Sequence, residues 1–210
     1  MATTAAPPST ASGDLEVLSG LPAAPPSRPR VLLVGTALAA TAVAMGILGM
    51  VALYLELRSQ WLTSESQWLP EDTVLPLTPG NVAFLSLLMS AVTVAWAVYA
   101  LRNDDRSHAY FALWWTMIFG VAAIVDTAYL WQQMNMGIGD SPQAVLIYGI
   151  TGAHTAMIGA GLLFMLVMGF RALGGQLTGR AAEGVNAAAL FWYVTIAVYA
   201  VIWYAIYITK

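Results

Sequence analysis

Five long apolar segments dominate this sequence and leave few ways for the chain to fold. They lie at about residues 31–57, 80–102, 110–133, 143–173 and 186–209. Each reaches the roughly 20 apolar residues that a helix needs to cross a hydrocarbon core of about 30 Å. Only 9% of the chain is charged, against roughly a quarter in soluble domains, so charged surface is too scarce to cover a water-soluble core. The sequence therefore predicts an all-α integral membrane bundle of five transmembrane helices.

The segment before the first span has a different composition. Residues 1–30 are mainly Ala, Pro, Ser, Thr and Gly without an apolar period, which predicts a disordered N-terminal tail. A cleaved signal peptide is the alternative, because Arg28 and Arg30 precede an apolar run. That run continues over 31–57, well beyond the roughly 7–15 residues of a signal peptide's apolar region. A retained first span is therefore favoured.

Basic residues are distributed unevenly between the two ends of the predicted spans. The N-terminal tail and the second and fourth loops share one side and carry Arg28, Arg30, Arg102, Arg106, Arg171 and Arg180. The other side carries only Arg58 and Lys210. This asymmetry predicts a cytoplasmic N-terminus and an external C-terminus. Aromatic residues near the predicted outer boundary match the position of an interfacial belt; these are Trp61, Trp68, Tyr129 and Trp131.

Composition also excludes several kinds of site. A net charge of −3 and a single lysine argue against a nucleic-acid partner. The absence of cysteine excludes disulfides and thiolate metal sites. A haem-copper centre needs several converging histidines, and this chain has only His108 and His154. We predict that His108 is a solvated residue of the second loop, that His154 is a hydrogen-bonded packing residue, and that no haem or metal binds this chain.

Asp126 is the one acidic residue that falls well inside a predicted span. At 1.5 Å per residue it lies about 10 Å from the outer end of the third helix. A carboxylate at this depth is costly and requires a partner. It can form a proton or lipid-headgroup site, or it can tie two helices together by a hydrogen bond.

The fourth span carries a stripe of small residues at three- and four-residue spacing. The stripe consists of Gly149, Gly152, Ala156 and Gly159. Such a stripe lets another helix approach closely, which is how membrane helices associate without a hydrophobic driving force. Thr151 and His154 lie three residues apart beside it and can supply polar contacts. The pattern predicts a packing or docking face.

Read in order, the fourth span resembles the signature Thr-Gly-x-His-x-x-His-Val-x-x-Gly of cytochrome c oxidase subunit III. The matching residues are Thr151, Gly152, His154 and Gly161, with Ile158 replacing the valine. Met157 stands where the second histidine of the signature belongs.

The first and last spans resemble the same family. The last is similar to the closing Tyr-Trp-His-Phe-Val-Asp segment of the family through Phe191, Trp192 and the later Tyr207. Tyr193 takes its histidine position and Ile196 its aspartate position. The first span is similar to a Ser-Glu-x-Met-x-Phe…Tyr pattern, carried by Met45, Gly49 and Tyr54, but Val43 replaces the glutamate.

The resemblance covers about residues 31–210 and fits the short, five-helix bacterial form. It implies a haem-free accessory subunit of a haem-copper terminal oxidase in the bacterial plasma membrane, serving assembly, stability and lipid binding. Such an oxidase transfers electrons from cytochrome c, or a quinol, to dioxygen and translocates protons, with haem and copper in partner subunits. The implied partners are catalytic subunit I, subunit II and membrane lipids. Packing, lipid or subunit contacts are assigned to Asp126, Thr151, Gly152, His154, Ala156, Gly159, Trp192 and Tyr193.

Departures from the family pattern leave alternatives open. Polar residues of the family are replaced by Val43, Met157, Tyr193 and Ile196, which implies that docking is kept while any proton-related role is lost. The same departures suit the subunit III-like proteins that accompany nitric oxide reductases. An unrelated structural membrane protein is a further alternative. A small transporter is another, but it would need several inward polar groups, and only Asp126 and His154 qualify.

Overall fold

The protein is described by a computed structural model that covers residues 30–64, 67–71, 73–174 and 180–209. The predicted tail lies outside these residues, except for Arg30. The described chain is all-α, as predicted, and contains five long helices: α1 (Val31–Ser64), α2 (Leu77–Arg102), α3 (Arg106–Gln133), α4 (Pro142–Leu173) and α5 (Arg180–Ile202). A π-helical segment, Trp203–Ile208, extends α5. All five helices are long and apolar enough to cross a membrane, so this is a multi-pass membrane protein.

Two of the helices begin at polar side chains that satisfy the backbone. Asp105 precedes α3 and its Oδ1 accepts a hydrogen bond from the His108 backbone N–H at 3.2 Å. Ser141 precedes α4 and its Oγ accepts from Ala144 N–H at 3.1 Å, with Pro142 in the first turn. Both are N-caps that pair otherwise unsatisfied N–H groups. His108 therefore lies in the first turn of α3, not in the predicted loop, although its side chain is exposed.

α1 extends seven residues beyond the predicted span. Its last two turns are polar, and their side chains bond within the helix: Gln60 Nε2 donates to Glu56 Oε1 at 2.7 Å and Ser59 Oγ to the Glu56 carbonyl at 2.8 Å. A helix satisfies its own backbone and can continue past the hydrocarbon core into water. The apolar run therefore marks the membrane span of α1 and not its end.

α5 lies at the centre of the bundle. It packs against α1, α2 and α4, while α2 and α3 form a closely packed hairpin. In the apolar span of α5 56% of the residues are buried, against 17% in α1, which makes α1 the peripheral helix. The buried seam of α1 follows three- and four-residue spacing through Ala40, Ala44, Ile47, Val51 and Tyr54.

The indole of Trp192 on α5 joins three other helices. It is fully buried, and its Nε1 donates to Ser90 Oγ on α2 at 2.9 Å. Two glycines make room for the ring. A Cβ added to Gly120 on α3 would lie 2.7 Å from Trp192 Cη2, and one added to Gly161 on α4 would lie 2.8 Å from Trp192 Cε3. The helices therefore approach one another closely at these two positions.

The first loop folds back over one end of the bundle, which we call the outer end because the charge asymmetry predicts it to be external. Trp68 of this loop is only 4% exposed, and its Nε1 donates to the Tyr54 hydroxyl at 3.1 Å. Trp68 thus belongs to the protein interior and not to a lipid-facing belt, because the loop brings it onto α1. Trp61 and Tyr129 remain exposed, whereas Trp131 is partly buried against α4.

Candidate functional site

Thr151 and His154 both lie inside the bundle. Thr151 Oγ1 donates to the Ile147 carbonyl at 2.6 Å and accepts from Trp131 Nε1 on α3 at 2.9 Å. His154 is buried, and its Nε2 lies 3.0 Å from the Thr195 carbonyl oxygen on α5. Because a carbonyl can only accept, His154 Nε2 carries the hydrogen and donates it. The two residues therefore link α4 to α3 and α5.

The histidine ring continues into a tyrosine pair on α5 and its π-helical extension. Its centroid lies 5.1 Å from that of Tyr199. The Tyr199 hydroxyl donates to the Gly80 carbonyl on α2 at 3.1 Å and also interacts with the Tyr207 hydroxyl. The Tyr207 ring can lie this close to α2 only because residue 80 is glycine, since a Cβ there would lie 2.6 Å from Tyr207 Cε1. His154, Thr195, Tyr199, Tyr207 and Gly80 thus form one cluster, the buried polar cluster, between α2, α4 and α5.

Asp126 is half-buried on α3 and contributes a carboxylate near this cluster. It interacts electrostatically with Tyr199. Its Oδ2 is buried and has no hydrogen-bond partner among the described residues. The described chain therefore supplies no helix-to-helix hydrogen bond to this atom, which was one of the two roles left open for Asp126.

The small-residue stripe of α4 faces away from the bundle. A Cβ added to Gly149 or Gly159 would have no neighbour within 4 Å apart from its own helix backbone, and one at Gly152 would meet only Trp131 Cζ2, at 3.9 Å. Ala156 is exposed. No helix of the described chain packs closely on the stripe, so of the two predicted roles, packing and docking, docking on another chain remains the prediction. The opposite face of α4, which carries Ile150 and His154, is the face that packs into the interior of the bundle.

Trp192 and Tyr193, adjacent in sequence, have opposite environments. Trp192 occupies the interior described above, whereas Tyr193 is 39% exposed on the outside of α5. Successive helical residues differ by about 100° in direction, so one can be buried while the next faces outward. Tyr193 therefore lies apart from the buried polar cluster.

Some of the residues that make these contacts cannot be identified from a sequence motif of their own. Ser90 and Tyr199 fit the family resemblance but have no motif of their own, and Gly120 has no sequence signal at all. Gly120 is an isolated glycine in an apolar helix, and its importance depends on the Trp192 ring that lies 72 residues further along the chain. The signal for Tyr199 was its place in the last span, where it stands at the position of the later tryptophan in the family resemblance.

Both histidines of the described chain are already engaged in hydrogen bonds. His154 already donates Nε2 to a carbonyl, and His108 Nδ1 bonds to Asp105 Oδ2 at 2.6 Å on the exposed surface. In the described parts of the chain, no three His, Cys, Asp or Glu side chains come together as a possible metal site. What the buried polar cluster can do is fix the relative positions of three helices.

Among the described residues outside the spans, the Asp105 carboxylate has a perturbed pKa. Hydrogen bonds from the His108 backbone N–H and side chain lower the pKa of Asp105 below its ordinary value. Both favour the charged carboxylate. This supports a capping role at the N-terminal end of α3.

Comparison with known proteins assigns the family. The family model described as cytochrome c oxidase subunit III matches residues 43–210. A probable cytochrome c oxidase subunit 3 of Rickettsia conorii is 30% identical over 138 residues, which cover 63% of this chain and 48% of that protein. Cytochrome c oxidase subunit 3 of Bos taurus is 30% identical over 141 residues, covering 66% and 54%. The chain spans about half the length of the curated relatives it matches. Since the family model covers most of the chain, the protein belongs to the cytochrome c oxidase subunit III family.

Proposed function

We propose that this chain is a haem-free accessory subunit of a haem-copper terminal oxidase. The complex would carry electrons from cytochrome c to dioxygen and translocate protons in the plasma membrane. The observation that carries the proposal is the family match over residues 43–210. Five helices that are long and apolar enough to cross a membrane fit a subunit that works inside the membrane.

The redox chemistry is assigned to partner subunits. Two histidines and no cysteine in the whole chain are too few for a haem-copper centre. Haem and copper would be held by subunits I and II, and this chain would serve their assembly and stability. Its interior supports such a role, because the indole of Trp192 and the buried polar cluster fix α2, α3, α4 and α5 in one arrangement.

The outward stripe of α4 is the proposed docking face for the catalytic subunit. Gly149, Gly152, Ala156 and Gly159 leave the backbone of α4 open over about ten residues. A helix of a partner could approach this surface more closely than it could a surface of large side chains. Asp126 supports a second contact, because its Oδ2 requires a donor that the described chain does not provide.

Co-purification with a tagged catalytic subunit tests this proposal. Gly159→Leu should reduce the amount of chain recovered in the complex, since leucine fills the space that the partner helix would occupy. Gly46→Leu is the matched control, because Gly46 on α1 is equally open but lies away from the stripe. Neither change should alter the fold of the isolated chain, because neither glycine has a close neighbour.

Three results would contradict the proposal in different ways. Normal recovery of Gly159→Leu would exclude the stripe as the docking face, and loss with Gly46→Leu alone would move docking to α1. Recovery of the wild-type chain with a nitric oxide reductase, and not with an oxidase, would replace the proposed complex. Oxygen consumption per haem should fall with loss of the subunit if it supports turnover.

A further inference from the structure

A row of aromatic rings lies on the outside of the hairpin formed by α2 and α3. Neighbouring rings have centroids 5.3–6.2 Å apart, and the row, which we call the aromatic ridge, consists of Trp96, Phe111, Trp114, Trp115 and Phe119. Trp96, Phe111 and Trp114 are 39–58% exposed. The described chain therefore leaves much of the ridge uncovered.

The ridge extends deeper into the membrane than an interfacial belt. Interfacial aromatic residues lie at the headgroup level, near the ends of the spans. At 1.5 Å per residue, Phe119 lies about 20 Å along α3 from Arg106, its first residue. This position is close to the middle of the 28-residue helix. Tryptophan and other large aromatic residues are enriched where proteins contact one another, so the ridge fits a protein contact better than a belt.

Asp126 continues the face of α3 that carries the ridge. It follows Phe119 by two helical turns, a spacing that returns a side chain to the same face. Trp131, which bonds to Thr151 on α4, points about 140° away from Asp126, at 3.6 residues per turn. The ridge and Asp126 therefore share a face of α3 that is turned away from α4 and its stripe.

The Asp126 carboxylate has no donor within the described chain. Its Oδ2 is buried and unpaired. The Tyr199 hydroxyl, with which it interacts electrostatically, donates its hydrogen to the Gly80 carbonyl. The adjacent Thr127 hydroxyl donates to the Ala123 carbonyl.

The missing donor has to come from another molecule. All eight lysine and arginine residues of the chain lie at or beyond the ends of the predicted spans. Carboxylates inside a membrane are normally paired with a cation or another donor. Lipid hydrocarbon offers none, and an aspartate side chain is too short to reach the headgroups as lysine and arginine do. A cationic side chain of a neighbouring membrane helix satisfies both conditions.

We propose that the aromatic ridge and Asp126 form a docking face for a transmembrane helix of a partner subunit, and that this helix carries a lysine or arginine that pairs with Asp126. The ridge supplies apolar contact area. The charge pair fixes the depth of the partner helix, because either charge left alone in the span is costly. This deepens the proposed function, on which it rests for the presence of a partner complex, and adds a face distinct from the stripe of α4.

Site-specific photocrosslinking in the assembled complex tests the ridge. Phe111→benzoylphenylalanine should join this chain to a second protein subunit on illumination. Leu38→benzoylphenylalanine gives the background of lipid adducts, because Leu38 is 68% exposed on the peripheral helix α1. Adducts at Phe111 with lipid alone would overturn docking on the ridge.

Asp126→Asn tests the charge pair, because asparagine has nearly the same shape but no charge. Rebinding of the purified chain to a complex that lacks it should weaken about tenfold or more, as expected for loss of one charge-assisted contact. The unfolding midpoint of the isolated chain should stay the same or rise, since an unpaired carboxylate is removed from the span. Asp104→Asn is the matched control, because Asp104 is exposed outside the spans, and it should change neither quantity.

Two results would overturn the charge pair. One is unchanged rebinding of Asp126→Asn. The other is weaker rebinding together with a lower unfolding midpoint of the isolated chain, because Asp126 would then act within this chain. Either result with normal recovery of the wild-type chain in the oxidase leaves the proposed function intact, whereas failure to recover the wild type contradicts that function itself.

Discussion

Replacing Gly120 by alanine tests how tightly the helices close around Trp192. The added Cβ would lie 2.6 Å from Leu162 Cδ2 and 2.7 Å from Trp192 Cη2, whereas carbon atoms in good contact are about 3.5–4.0 Å apart. The leucine methyl group can rotate away. The indole cannot, because Ser90 bonds its Nε1 and Gly161 lies against its other edge. α3 must therefore separate from α4 and α5.

The expected cost is about 1–3 kcal/mol of folding free energy, the usual range for one extra carbon in a packed interior. Gly169→Ala is the matched control, because a Cβ there would have no neighbour within 4 Å apart from its own helix backbone. Both changes replace glycine in a helix interior, where alanine is favoured by roughly 1 kcal/mol. That contribution cancels when the two variants are compared.

The measurement is the loss of near-ultraviolet circular dichroism as the mole fraction of dodecyl sulfate is raised in mixed micelles. Gly120→Ala should unfold at a lower fraction than Gly169→Ala, and Gly120→Val should unfold lower still. Equal midpoints for the two alanine variants would show that the contact around Trp192 is loose and that the close-packing argument is wrong.

Three further predictions concern other parts of the molecule. Trp192→Phe should destabilise the fold by about 1–2 kcal/mol through the lost bond to Ser90 and the space left behind, whereas Tyr193→Phe, at an exposed neighbour, should change the same unfolding midpoint little. Because the pKa of Asp105 is lower in the folded chain than in the unfolded chain, the charged carboxylate stabilises the fold at a pH above the unfolded-state pKa. This stabilisation is lost as the pH falls below about 4. Asp105→Asn should therefore flatten the acid side of a plot of Tm against pH. A reporter active only outside the membrane and fused after Lys210 should give signal; a silent fusion would invert the proposed topology.

The sequence by itself determined the membrane architecture. Length and hydropathy defined five spans, because a bilayer of fixed thickness demands about 20 apolar residues from any helix that crosses it. Each predicted span falls within an observed helix or its π-helical extension, apart from Thr209. The motif around Thr151, Gly152 and His154 also indicated the family that the comparisons establish.

Only the tertiary structure decided which faces of these helices meet. The spacing of Gly149, Gly152, Ala156 and Gly159 describes one face of α4 but not what lies opposite, and that face is open. The sequence around Gly120 does not indicate a close helix contact, because that contact depends on the Trp192 indole of another helix. In a membrane, lipid and protein interior are similarly apolar, so hydrophobicity cannot distinguish an outward face from an inward one. That distinction comes from shape and from buried polar contacts between residues distant in sequence, such as His154 with Thr195.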